Sequence, residues 1–108
     1  MSRLALYLLG PPRLDLDGEP VQIGRRKVLA LLAYLAVTGT PHSRDALATL
    51  FWPDYDQSGA RGRLRRTLSS LNRSLGEGWL SVGRETVGIK PDANLCLDVD
   101  QFRQLLAT

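Results

Sequence analysis

The sequence predicts an α+β domain in which a small N-terminal antiparallel sheet precedes three helices and a C-terminal β-hairpin. Three observations carry this. Leu14 and Leu16 alternate with Arg13, Asp15 and Asp17 just before Asp17-Gly18, a hairpin turn signal. Apolar residues then recur with helical spacing over three separate segments. Beyond them, two short runs with strand character flank Gly83-Arg84-Glu85.

The size and composition suit one folded unit. A chain of 108 residues is the length of a single domain and needs no metal or disulfide to fold. Hydrophobic residues make up 44% and charged residues 23%, close to the globular average, so disorder is not expected. The one cysteine, Cys96, forms neither an internal disulfide nor a cysteine-based zinc site. It is expected as a small, half-buried apolar residue in a reducing compartment. The longest apolar run, residues 28–37 with Tyr34 inside it, falls well short of the roughly 18 residues of a membrane span. Residues 4–9 are too short a run for the hydrophobic region of a signal peptide. A soluble cytoplasmic protein without membrane contact is the expectation.

Each element has its own signature. Residues 4–9 read as a strand ended by Gly10-Pro11-Pro12. Leu14 and Leu16 mark a second strand, and Val21 to Ile23 a third that returns from the Asp17-Gly18 turn. The first helix spans about residues 25–37, with Leu29, Leu32, Ala33, Leu35 and Ala36 on its apolar face and Gly39 as its end. Arg25, Arg26 and Lys27 crowd its first turn, where positive charge opposes the helix dipole; that mismatch suggests a task for them. The second helix begins at Ser43, a good N-cap, with Asp45 in its first turn. Ala46, Leu47, Leu50 and Phe51 are its expected buried face, and Pro53 stops it. An acidic loop, residues 53–57, leads to a third helix over about 58–75, closed by Gly76. Strands are expected over 79–82, 86–89 and 95–97, and a further helix begins near Val99 with Phe102, Leu105 and Leu106 on one side. Residues 1–97 form the expected domain, and 98–108 the start of a linker or helix leading onward.

The third helix is two-sided. At 100° per residue, Ala60, Leu64, Leu68, Leu71 and Leu75 fall within about 40° of Leu64, and Gly62, Arg66, Ser69 and Arg73 within about 40° of the opposite pole. Arg65 and Ser70 flank that polar face. The charge is distributed just as unevenly. Residues 1–57 sum to 0, residues 58–75 to +5 with five arginines and no acid, and residues 76–108 to −2. A polyanion is drawn to that single stretch.

Two helices, a turn, a longer basic helix and a hairpin make the winged helix-turn-helix pattern. A helix fits the major groove of duplex DNA, where base edges are distinguishable. Its inner side must anchor to the fold, and its outer side needs long donors and small residues. The candidate DNA-binding residues are Arg61, Gly62, Arg65, Arg66, Ser69, Ser70 and Arg73 on the helix, with Arg84 at the hairpin tip for an adjacent groove or phosphate.

Several segments also carry a family resemblance: residues 8–12, residues 26–36, residues 43–54 and Ala60-Arg61 followed by residues 64–71, with residues 98–102 after them. Together they resemble the N-terminal part of the Streptomyces antibiotic regulatory protein family. The resemblance implies an OmpR-type winged helix, with a four-stranded N-terminal sheet, three helices and a hairpin wing. It implies binding to direct repeats in double-stranded promoter DNA, in tandem, and recruitment of RNA polymerase. In related activators the loop between the second and third helices touches polymerase; here that loop offers Asp54, Tyr55 and Asp56. Members of the family continue into a helical activation domain, which would begin where this chain stops.

Enzymatic function is not expected. His42 has no cysteine or paired carboxylates near it in sequence and reads as a turn or cap residue. Residues 83–88 lack the lysine and spacing of a phosphate loop. No cofactor or metal site is expected. The rival to DNA binding is a winged helix that offers its arginine face to an acidic protein partner. Single-stranded nucleic acid fits less well, because the arginine helix carries no aromatic stacking platform.

Overall fold

The computed structural model describes residues 2–23, 25–100 and 106. Strands β1 (Leu4–Tyr7) and β2 (Arg13–Leu16) pair antiparallel, with Leu4 opposite Leu16 and Leu6 opposite Leu14, so their leucines share one face. Asp17 and Gly18 both take positive φ, 53° and 84°, as a tight two-residue hairpin demands. The return strand β3 (Glu19–Pro20) is shorter and earlier than the expected 21–23. Pro20 has no N–H to continue the ladder. The Val21 N–H makes one last bond to the Leu14 carbonyl (2.8 Å), and Val21 and Ile23 then pack against the core without strand geometry.

The fourth strand of this sheet comes from the far end of the chain. Strand β7 (Leu95–Leu97) lies parallel to β1, Leu4 opposite Leu95 and Leu6 opposite Leu97, giving the order β3-β2-β1-β7. The expected antiparallel N-terminal sheet is therefore a mixed sheet completed by the C-terminal region.

Helix α1 (Arg26–Thr38) ends on Gly39 in the left-handed conformation, whose N–H reaches the Leu35 carbonyl at 3.1 Å. Helix α2 (Arg44–Phe51) starts where the sequence indicates, with the Ser43 hydroxyl accepting the Ala46 N–H at 3.0 Å. Its buried face differs from expectation. Leu47 and Ala48 are buried, whereas Ala46 is exposed and Leu50 is 54% exposed. Two turns of helix present only a narrow stripe, and packing against the third helix selects which one. Helix α3 (Gln57–Leu75) begins one residue before the expected start, because the Asp56 carboxylate caps it by accepting the Gly59 N–H at 2.7 Å.

The hairpin of β5 (Leu80–Val82) and β6 (Thr86–Ile89) forms as expected, but it gains a third strand. The two-residue β4 (His42–Ser43) pairs with β6, giving the order β4-β6-β5. His42 thus sits in a strand, with Nε2 at 2.7 Å from the Thr38 hydroxyl and its ring against Tyr34. Gly88 permits this close docking: a Cβ there would lie 3.2 Å from Pro41 Cα.

The helices and both sheets share one core. Leu31, Leu32 and Leu35 of α1, Leu47 of α2, Leu64 and Leu71 of α3, Leu4, Leu6 and Val87 are all fully buried. Each such side chain contributes about 2 kcal/mol of apolar burial. Thr67, the buried polar residue of α3, donates its hydroxyl to the Arg63 carbonyl at 2.9 Å, so its burial leaves no bond unmade.

Residues 98–100 are helical, and the Asp98 carboxylate accepts the N–H groups of Leu8 and Leu9, each at 2.8 Å. Partial desolvation raises the Asp98 pKa, but the backbone donors of Leu8, Leu9, Val99 and Asp98 itself outweigh it and hold the carboxyl below its usual value. The expectations for Phe102 and Leu105 lie outside the described residues; Leu106 is helical and exposed.

Candidate nucleic-acid interface

Helix α3 buries Ala60, Leu64, Thr67, Leu68, Leu71 and Leu75 and turns the opposite side outward. Arg65, Arg66, Ser69 and Arg73 are exposed on that outward side, and Gly62 and Ser70 are half-buried beside them. The amphipathic reading of this helix thus holds, with Thr67 added to its buried side. A methyl group at Gly62 would meet only the Arg66 guanidinium, at 3.8 Å, so the helix backbone is open to a ligand there.

Two recesses flank α3, and Arg65 borders both. The recess on the hairpin side, about 440 Å³, is bordered by Arg61, Arg65, Arg84 and the start of α2. Arg44 fixes its shape. The Arg44 N–H donates to the Glu85 carbonyl, and its Nε donates to the Gly83 carbonyl, both at 2.8 Å. The hairpin tip is thereby tied to the first residue of α2, and Arg84 stands exposed between the two anchored carbonyls. Arg61 is not free: Asp45 binds it, with Oδ1 at 2.6 Å from Nε and 2.5 Å from Nη2. That hydrogen bond is the main cause of the lowered Asp45 pKa; desolvation opposes it, and a bond from Gln57 and the charge of Arg61 lower it further.

The recess on the other side is a groove of about 900 Å³ between α3 and the start of α1. Arg25, Arg26 and Lys27 form one wall, Arg63, Arg66 and Arg73 the other, with Trp52 and Tyr55 between them; none of its lining residues is acidic. The Arg63 guanidinium stacks on the Tyr55 ring, 3.9 Å from its centroid. Lys27 reaches the α2 C-terminus, where its ammonium donates to the Phe51 carbonyl and lies 5.4 Å from the Trp52 ring centroid. A cation at a helix C-terminus is favourable, which accounts for one of the three misplaced charges of the α1 first turn.

The structure thus brings Arg65, Arg66, Ser69, Ser70 and Arg73 to one groove, and Arg61, Arg65 and Arg84 to the other. Sequence reasoning did not count Arg63, Arg44, Arg25 and Arg26 among the site residues. Arg63 belongs to the acid-free stretch of 58–75, and that count was the signal available for it. The loop of Asp54, Tyr55 and Asp56 is exposed, but two of its members are engaged, Asp56 as the α3 cap and Tyr55 beneath Arg63. Among the described residues no group of three or more His, Cys, Asp or Glu stands where it would hold a metal ion, and no helix is long and apolar enough to cross a membrane.

No protein-family model matches the chain. It is 40% identical over 76 residues to the transcriptional regulatory protein EmbR of Mycobacterium tuberculosis, and equally to that of Mycobacterium bovis. The match covers 69% of this chain and 20% of each relative, so the chain spans about a fifth of their length. Among solved structures, M. tuberculosis EmbR in complex with a low-affinity phosphopeptide superposes with a TM-score of 0.76 at 31% identity, over 94% of this chain and 28% of that one.

Proposed function

We propose that this chain is the winged-helix DNA-binding domain of a bacterial transcription regulator related to the Streptomyces antibiotic regulatory proteins, with residues 1–97 as the domain proper. Helix α3 enters the major groove of promoter DNA. Arg65, Arg66 and Arg73 supply base or phosphate contacts, Ser69 and Ser70 donate to phosphate oxygens, and Gly62 allows close backbone approach. Arg84 at the anchored hairpin tip reaches an adjacent groove or phosphate. The observation that carries this reading is the acid-free outward side of a 19-residue helix beside a recess that it shares with a cationic hairpin tip, itself tied to the first residue of α2. Similarity to EmbR, a transcriptional regulatory protein, supports the same role.

Phosphate contacts make binding salt-dependent. Fluorescence anisotropy with a labelled duplex across a salt series tests the proposal. The expected log–log slope is about −4 to −6, with a further loss of affinity for Arg65→Ala/Arg66→Ala. A duplex that does not bind even at low salt overturns it in favour of an acidic protein partner. One domain binds weakly alone, and two on direct repeats bind more tightly through effective concentration. The turn before α3 is the proposed contact for RNA polymerase. Of its acidic residues, Asp54 is the one not used as a helix cap. An alanine series over Asp54, Tyr55 and Asp56 that leaves transcription activation intact removes that assignment.

A further inference from the structure

The α1 first turn carries three positive charges against the helix dipole, with no acidic residue among them and no side-chain cap. Lys27 is accounted for by the α2 C-terminus. Arg25 and Arg26 are not: both are exposed, and among the described residues neither forms an ion pair. Both face a groove whose opposite wall is Arg63, Arg66 and Arg73. Cations gathered from two helices around one acid-free concavity repel one another, and an anion between them relieves that repulsion.

We propose that this groove is a second phosphate-binding site, in which Arg25 and Arg26 together with Arg63 grip the sugar–phosphate backbone of one DNA strand. The inference rests on the DNA-binding reading and assigns the strand that the hairpin does not touch. A helix with its side chains is about as wide as the major groove, so the two phosphate strands run along its two flanks. Arg61 and Arg63 are 200° apart around α3 at 100° per residue and therefore stand on opposite flanks. Arg61 shares its flank with the hairpin tip, and Arg63 shares the other with Arg25 and Arg26. Arg66 and Arg73 belong both to the groove and to the outward side of the helix, so a duplex on that side passes the groove mouth.

The test compares wild type, Arg25→Ala/Arg26→Ala, Arg65→Ala/Arg66→Ala and the charge-matched control Arg3→Ala/Arg13→Ala, whose arginines lie outside the groove. Binding of a mixed-sequence duplex is followed by anisotropy across a salt series, and folding by thermal melting. With two phosphate contacts removed, the slope for Arg25→Ala/Arg26→Ala shrinks by about 1 to 2, and affinity at low salt falls about tenfold. Its melting temperature stays level or rises, because charges opposing the helix dipole are gone. The control keeps the wild-type slope. An unchanged slope for Arg25→Ala/Arg26→Ala, with Arg65→Ala/Arg66→Ala still weakened, overturns the groove assignment and leaves the DNA reading standing. An equal loss in the control overturns it too, as an effect of net charge alone. Wild type that ignores duplex but binds an oligo-aspartate peptide through Arg25 and Arg26 overturns both, and makes the groove a site for an acidic protein segment.

Discussion

Asp45, in the first turn of α2, holds Arg61 of α3 through two contacts of 2.6 and 2.5 Å, although both side chains are more than half exposed. The pair joins α2 to α3 at the mouth of the hairpin-side recess. An exposed pair of this kind adds little stability. Its larger effect is on the site, where it withdraws one arginine and adds one negative charge.

Replacing Asp45 with alanine should therefore strengthen duplex binding rather than weaken it. The expected gain is a few-fold at low salt, with the log–log slope steeper by about 1 as Arg61 becomes available to a phosphate. Anisotropy titrations of Asp45→Ala and of Asp45→Ala/Arg61→Ala check this, since the second variant should lose the gain.

Gly62 separates stability from function. It lies inside α3, where a Cβ would make only an ordinary contact with the Arg66 guanidinium at 3.8 Å. Gly62→Ala should stabilise the fold by about 0.5–1 kcal/mol through helix propensity. It should also weaken duplex binding several-fold, because the methyl group holds the helix backbone off the DNA. Chemical denaturation and anisotropy on the same variant read the two effects independently.

Asp98 makes stability depend on acid. Its folded-state pKa is depressed, so its contribution is complete above the ordinary carboxylate pKa of about 3.9 and is lost as pH falls toward the folded value. Asp98→Asn should have a lower melting temperature than wild type at pH 7. Below about pH 4 the two should converge. Melting curves from pH 7 to pH 2.5 that stay parallel for the two proteins would show that the bonds to Leu8 and Leu9 carry no such linkage.

What the sequence made legible was local. The Ser43 cap, the Gly39 stop, the Asp17-Gly18 turn and the two sides of α3 follow from residues within a turn or two of one another. What it concealed depends on distance along the chain. Nothing near Lys27 announces that its partner is the Phe51 carbonyl, 24 residues on, and nothing near Arg61 points to Asp45. Strand β7 is legible as a strand but not as the parallel neighbour of β1. The α2 face is not legible at Leu50, because an eight-residue helix has too few turns for its own periodicity to choose between adjacent stripes. The outward arginines of α3 are legible from the periodicity of one helix, but Arg25 and Arg26 join the groove through tertiary packing alone.

The parallel pairing of β1 with β7 sets an order on assembly. Leu4 finds Leu95 across 91 residues, so this contact closes a loop of nearly the whole domain and is among the slowest to form. During synthesis β1, β2 and β3 leave the ribosome well before β7 and, of the strands of their sheet, have only one another to pair with. Until residue 97 is free, β1 presents an open edge whose N–H and C=O groups are unpaired, the kind of edge that recruits strands from other chains. A nascent chain stalled in the β5–β6 hairpin is thus more exposed to aggregation than the finished domain, even though α1, α2 and α3 have already been made.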